Sequence, residues 1–168
     1  MIPNAISLSR IFLVIPIIYF ILTGKENLAL LVFAIGCLTD FLDGFIARKF
    51  NQESTLGENL DLLADKLFIC ILLIFLPFHF DNFLLLFFSI FLIARELAIG
   101  SIRQYFLSTN LVEKSKVNFL GKLKTFFQMI SVGSAIILMS TTYEYISVTL
   151  FSITIILAWI SLFFYIRN

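Results

Sequence analysis

Six stretches of about 20 mostly apolar residues each, the length a helix needs to cross the hydrocarbon core of a bilayer, dominate this sequence and are separated by short polar loops. They run roughly over Ile6–Leu22, Leu28–Ala47, Leu60–Leu76, Phe83–Phe106, Phe119–Ser140 and Ile146–Ile166. Of the 168 residues, 60% are hydrophobic and only 14% charged. A soluble domain carries about a quarter charged residues, so this chain has too few to coat a soluble globule. Inside a bilayer every backbone N–H and C=O must be satisfied within the protein, which favours helices for segments of this length. The expected fold is therefore all-α: a polytopic membrane protein, one domain over residues 1–168, with six transmembrane helices in a bundle. The loops carry the turn and polar residues: Thr23 to Asn27, Lys49 to Glu58, Pro77 to Asn82, Leu107 to Asn118, and a Thr-Tyr-Glu group before the sixth segment.

Charge placement predicts orientation, because cytoplasmic loops of membrane proteins are enriched in Lys and Arg. In a six-helix weave, Arg10, Arg48, Lys49, Lys66, Arg95, Arg103, Lys114, Lys116, Lys122, Lys124 and Arg167 fall on or toward one side, and only Lys25 lies opposite. Both termini and the loops after the second and fourth helices are thus expected in the cytoplasm, with His79 in a loop on the far side and without a catalytic role. Cys37 and Cys70 sit in apolar segments without a paired motif and read as reduced, packed residues. The N-terminus has neither a basic start before its apolar run nor a small-residue cleavage site, so no cleavable signal is expected.

Against this background the acidic residues stand out, since ionisable groups within membrane helices are costly and usually functional. Asp40 and Asp43 lie near the cytoplasmic end of the second helix, and Asp61 and Asp65 near the start of the third. Spacings of three and four put each pair on one helical face. The intervening loop centres near Gln52; Asp43 and Asp61 are each nine residues from it, Asp40 twelve and Asp65 thirteen. An antiparallel helix pair then brings all four carboxylates to one depth, in a cleft on the cytoplasmic side. Four such groups at close range cannot all ionise without a counter-charge. Hard oxygen donors, with no paired Cys and no suitable His, favour Mg²⁺ or Mn²⁺ over zinc, and two facing pairs suggest two ions. The blander reading is a set of helix-end aspartates paired with Arg48, Lys49 and Lys66.

Small residues accompany the carboxylates: Gly44 follows Asp43, Ala47 lies one turn on, and Gly57 precedes Asp61 by four. They would let a ligand or a second helix approach the backbone, although Gly44 and Ala47 taken singly read as packing residues. Arg48 is placed to meet a phosphate. A second cationic group comes from Arg95, Arg103, Lys122 and Lys124. Arg95 lies inside the fourth helix with Glu96 beside it and must be paired or line a wet cavity. It reads either as a structural ion pair, with an aspartate or with Glu96, or as part of an anion pocket for a second, phosphorylated substrate. Lys122 and Lys124 are two apart and cannot share a helical face, so at most one points into such a pocket while the other snorkels. Lys114 and Lys116 read as a loop attracted to anionic headgroups.

The pattern Asp40-x2-Asp43-Gly44-x2-Ala47-Arg48-x8-Gly57-x3-Asp61-x3-Asp65 resembles, at every fixed position, the signature of the CDP-alcohol phosphotransferases. Eight specified positions over 26 residues make this resemblance specific. It implies a six-helix membrane enzyme that displaces CMP from a CDP-linked substrate with an acceptor hydroxyl. It further implies that Asp40, Asp43 and Asp61 hold metal, with Asp65 as a further ligand and general base. Gly44, Ala47, Arg48 and Gly57 would line the CDP site.

Within the family, four segments resemble the bacterial members whose substrates are CDP-diacylglycerol and glycerol 3-phosphate. These are the opening from Pro3-Asn4 to Arg10, Thr39-Asp40 to Gly44, Ala94-Arg95-Glu96 with Arg103, and Gly121-Lys122-Leu123-Lys124-Thr125 with Gln128. That likeness covers nearly the whole chain. It implies Asn4 at the CDP site, acceptor phosphate held by Arg95, Arg103 and Lys122 or Lys124, a homodimer in the bacterial inner membrane, and no nucleic-acid partner. Leu62 stands where many members have proline, which alters the start of the third helix without touching a ligand. Inositol phosphate would suit a similar basic cluster, whereas serine, lacking phosphate, fits it poorly. A divalent-cation transporter, the reading from another class, should instead carry its ligands near the bilayer midplane and often on broken helices.

Overall fold

The computed structural model describes the backbone of residues 2–50, 55–108 and 119–167, and their side chains except at 2–9, 40–50, 55–62, 65 and 107. Among these residues the chain is wholly helical. The helices are α1 (Ile2–Leu22), α2 (Glu26–Phe50), α3 (Thr55–His79), α4 (Phe83–Ser108), α5 (Phe119–Leu138) and α6 (Glu144–Arg167). Each apolar stretch maps onto one of them, with differences at the ends. The largest is in α3, which begins at Thr55 and continues through Pro77 to His79. Pro77 has no N–H to offer the Leu73 carbonyl, but the helix keeps its last turn and closes with Phe80 N–H to Leu76 O (3.0 Å) and Asn82 N–H to Pro77 O (3.1 Å). His79 is therefore the last helical residue of α3, a correction to its expected place in a loop.

The described connections are compact for local reasons. Gly24 adopts a left-handed φ of 67°, which glycine tolerates without strain. The Lys25 and Gly24 N–H groups then bond back to Phe20 O (2.8 Å) and Ile21 O (3.0 Å), satisfying carbonyls at the end of α1 in a Schellman cap. Between α3 and α4, Asp81 takes the left-handed conformation (φ 48°). The Asn82 side-chain oxygen next to it accepts the Leu85 N–H at 2.9 Å, capping α4 as Asn does well.

Two helical segments, Phe83–Phe106 in α4 and Glu144–Arg167, are long and apolar enough to cross a membrane. The apolar parts of the first three helices, Arg10–Leu22, Glu26–Thr39 and Lys66–His79, are shorter. The described residues form two compact units, Met1–Phe75 and Leu76–Asn168. In the first, α1 packs on α2; Val14, Ile17 and Ile21 recur at three and four, and are buried with Ala29, Phe33, Phe68 and Leu72. Phe33 and Phe68 stack with ring centroids 5.7 Å apart and planes 8° from parallel.

In the second unit α6 is the shared partner of α4 and α5. Its buried residues, Ser147, Phe151, Thr154, Ala158, Ser161, Leu162 and Tyr165, recur every three or four and so form one face. Most are small, and α5 answers with Ser131, Gly133 and Ala135, also buried. Small residues let helix backbones approach where lipid offers no hydrophobic drive to associate. The Ser131 and Thr154 hydroxyls meet at 2.8 Å; one donates to the other, and the accepting hydroxyl gives its own proton to the carbonyl one turn back in its helix.

The outer surface is apolar. Phe12, Phe78, Phe83 and Leu97 are among the large side chains left more than three-fifths exposed, a surface expected against lipid and rare against water. Replacing Ala158, which is fully buried, by Leu is expected to destabilise the chain by about 1–3 kcal/mol through overpacking. Ile156→Leu on the exposed face should change stability by no more than about 0.5 kcal/mol. Thermal unfolding of the two variants in detergent measures the difference.

Candidate active site

The helices around the aspartates are continuous. Asp40 and Asp43 lie on α2, Asp61 and Asp65 on α3, so the spacings of three and four are helical spacings and each pair lies on one face. Gly44, Ala47 and Arg48 follow on α2, Gly57 lies in the first turn of α3, and Asn4 lies on α1. The side chains at all these positions, and the loop residues Lys114 and Lys116, lie outside the described residues. Among the described residues there is no group of three His, Cys, Asp or Glu that could hold a metal, and Cys37 and Cys70 are half-buried on α2 and α3.

Two observations bear on whether a divalent ion suits the aspartates. The donor set is carboxylate only, as hard cations prefer. The two helices also meet one turn away: Phe68, three residues after Asp65, lies with its ring tip against Gly36, four residues before Asp40. A carboxylate donor set of this kind suits a hard divalent cation. Arg10, one of the residues that marked orientation, is only 1% exposed.

The basic residues of α4 and α5 are described in full, and they separate into different roles. Arg95 is buried, 3% exposed. Its Nε donates to the Ala158 carbonyl of α6 at 3.2 Å, Nη2 to Ser161 Oγ at 3.2 Å, and Nη1 to Glu96 Oε1 at 3.2 Å. Lys124, equally buried, donates from Nζ to the same Glu96 oxygen. One carboxylate therefore holds a cation from α4 and a cation from α5, and the Arg95 guanidinium ties α4 to α6. Lys122 is exposed. Two residues of helix turn it about 200° from Lys124, away from the cluster, so Lys124 is the lysine that joins it.

Arg103 lies two turns beyond Arg95, half-buried. Its Nε is shielded from solvent and has no hydrogen-bond partner among the described residues. Its charge acts on Tyr165 of α6, and the Tyr165 ring sits 5.9 Å from that of Phe106. Gln128, one turn after Lys124, is 3% exposed and its Nε2 is likewise buried without a partner. The motif alone gives Gln128 no role of its own; its burial comes from the fold. Arg95, Glu96 and Lys124 together carry one net positive charge, and Arg103 adds a second. Arg103 Nε and Gln128 Nε2 lie on opposite sides of the Glu96–Lys124 level, one toward the C-terminal end of α4 and the other one turn further along α5.

Glu96→Gln should destabilise the chain by roughly 3–5 kcal/mol, the cost of breaking a buried ion pair from one side. Lys122→Gln should stay within about 0.5 kcal/mol of the wild type. Chemical unfolding in detergent micelles, followed by helical circular dichroism, compares the two.

A family profile described as CDP-alcohol phosphatidyltransferase matches residues 1–166. Among curated proteins, the CDP-diacylglycerol–glycerol-3-phosphate 3-phosphatidyltransferase of Wigglesworthia glossinidia brevipalpis is 33% identical over 172 residues, covering 98% of this chain and 93% of that protein. Proteins with the same description from Escherichia coli (strain K12) and Shigella flexneri are each 28% identical over 168 residues, covering 98% of this chain and 92% of the relative.

Proposed function

Because this chain belongs to the CDP-alcohol phosphatidyltransferase family, we propose that it is the enzyme that transfers a phosphatidyl group from CDP-diacylglycerol to sn-glycerol 3-phosphate. It releases CMP and forms phosphatidylglycerol phosphate, a step of phospholipid biosynthesis. The observation that carries this reading is the likeness over nearly the full chain to relatives named for that reaction. The four aspartates and the two-charge basic cluster lend it chemical sense.

In the reaction the primary hydroxyl oxygen of glycerol 3-phosphate forms a bond to the β-phosphorus of CDP-diacylglycerol. The bond from that phosphorus to the bridging oxygen breaks, and CMP leaves with the oxygen. Asp40, Asp43, Asp61 and Asp65 would hold Mg²⁺ or Mn²⁺, two ions in the full site. A metal held there would supply charge neutralisation to the diphosphate and to the leaving phosphate. Asp65 takes the hydroxyl proton, since a neutral alcohol is a weak nucleophile at physiological pH. Gly44, Ala47 and Gly57 leave room for the cytidine diphosphate against the helix backbones, with Asn4 and Arg48 as its polar contacts.

The acceptor's phosphate binds at the basic cluster. Arg103 contacts it, Lys124 lends charge, and Arg95 acts chiefly as the brace that fixes α4 on α6. Binding a dianion at the far end of the acceptor orients its hydroxyl for attack. Membrane placement follows from the same reading. All six helices lie in the bacterial inner membrane, the termini and the cleft face the cytoplasm where CDP-diacylglycerol and glycerol 3-phosphate meet, and the chain works as a homodimer.

The test is an acceptor panel with purified protein, CDP-diacylglycerol and Mg²⁺ or Mn²⁺, following CMP release. Glycerol 3-phosphate should support release, and inositol phosphate and serine should not; release with inositol phosphate alone would reassign the acceptor. Arg103→Ala should raise KM for glycerol 3-phosphate by about 10- to 100-fold, as expected for a charge-assisted contact of 1.5–3 kcal/mol. KM for CDP-diacylglycerol should change little. Equal changes in both would remove Arg103 from the acceptor pocket.

A further inference from the structure

Glycine weakens a helix interior relative to alanine, so Gly36, in the middle of α2 and without a left-handed backbone, needs a reason. A Cβ built there would stand 2.7 Å from Cζ of Phe68, 3.2 Å from Cε2 and 3.4 Å from Cε1. Carbon atoms at rest sit about 3.5–4.0 Å apart. The absent methyl group is therefore the space that the tip of the Phe68 ring occupies. The ring has little freedom to retreat: Phe68 is 2% exposed and stacks on Phe33, itself 3% exposed. Asp40 lies one turn from Gly36 along α2, and Asp65 one turn from Phe68 along α3, both on the same side of the contact in an antiparallel pair. A wedge placed at this contact would reach the carboxylate level within about 5.4 Å of helix.

Building on the proposed metal site, we infer that the Gly36–Phe68 contact sets the separation of the two aspartate-bearing helices, making Gly36 and Phe68 positioning residues for divalent-cation binding. Alanine at 36 forces α2 and α3 apart, and a shorter side chain at 68 lets them close again. Mg²⁺ demands near-ideal ligand geometry, so a displacement of a few tenths of an ångström at this level is felt as lost affinity.

The experiment is a titration of the purified full-length chain in detergent with Mn²⁺ alone, with free Mn²⁺ read by electron paramagnetic resonance. Gly36→Ala should raise the dissociation constant by about 10- to 100-fold, the range seen when a residue supporting metal ligands is lost. Adding Phe68→Leu to Gly36→Ala should bring it back to within about threefold of the wild type, since the two residues touch and their effects couple. Ala29→Val overpacks a fully buried position of α2 two turns away and should leave Mn²⁺ binding unchanged. If Gly36→Ala does not yield folded protein, Phe68→Trp applies the same wedge from α3 and should show the same rise.

Wild-type affinity in the folded single variant, failure of Phe68→Leu to restore it, or an equal rise in Ala29→Val each overturns the inference. The proposed reaction fails separately. A wild-type chain that binds Mn²⁺ with this sensitivity but releases no CMP refutes the transferase reading and upholds the positioning role. A wild-type chain that binds no Mn²⁺ overturns both.

Discussion

Charge inside an apolar helix bundle is the constraint on which the rest of this structure depends. A lone Lys, Arg or Asp at the centre of a membrane helix costs about 2.5–3.5 kcal/mol on insertion scales, so each must be matched by partner, ion or substrate. Unit by unit, the chain meets that demand in different ways. In Leu76–Asn168 the match is internal: Glu96 holds Arg95 and Lys124 at once, and Arg95 spends its remaining reach on the Ala158 carbonyl and Ser161. In Met1–Phe75 the four aspartates of α2 and α3 outnumber Arg48, Lys49 and Lys66 on the same helices, and in the proposed site a divalent ion would supply the remaining counter-charge. Buried charge thus serves two ends. It ties α4, α5 and α6 together, and it leaves a residual positive field where a phosphorylated acceptor can complete the balance.

Much of this was legible in the sequence, because it depends on periodicity. Six apolar stretches became six helices, and the two-residue spacing of Lys122 and Lys124 foretold that one would be buried and the other exposed. The contiguous signature from Asp40 to Asp65 pointed to the family on its own. Pattern reading left alternatives open where the outcome depends on distant residues. Arg95 and Ser161 are 66 residues apart, and nothing local says that the Arg95 guanidinium will reach across to α6 rather than toward a substrate. Pro77 misled for the opposite reason. It is a strong local breaker, but the last turn of α3 needs only one of its hydrogen bonds removed and keeps the others. Gly36 gave no signal at all, since a glycine among Ala34, Ile35 and Cys37 in an apolar run looks like filler until the facing ring is known.

Small residues do in this chain what large apolar ones do in a soluble core. With lipid as the solvent, burying Leu between helices gains little, so contact must come from close backbone approach and from hydrogen bonds. The α6 stripe of Ser147, Thr154, Ala158 and Ser161 follows that logic against α4 and α5, and Ala158 shows how directly it bears on the basic cluster. The same residue that is small enough to bring α6 close also presents the carbonyl that Arg95 grips. Packing and electrostatics are therefore one arrangement there.

The same logic gives the division of labour among the basic residues. An arginine with partners on Nε, Nη1 and Nη2 has little left for a ligand that comes and goes, and releasing those partners for each turnover would uncouple α4 from α6. Arg103 and Gln128 have the opposite character, with buried donors that the described protein does not satisfy. A buried donor without a partner costs about 1–3 kcal/mol, a cost that a bound anion would remove. In the proposed reaction, a donor of that kind would favour the substrate-bound state over the empty one, whereas Arg95 would stabilise both alike. In the proposed acceptor pocket, Arg95, Glu96 and Lys124 would form a braced rim, and selectivity for a phosphorylated acceptor would come from the Arg103 donor that the described residues leave open.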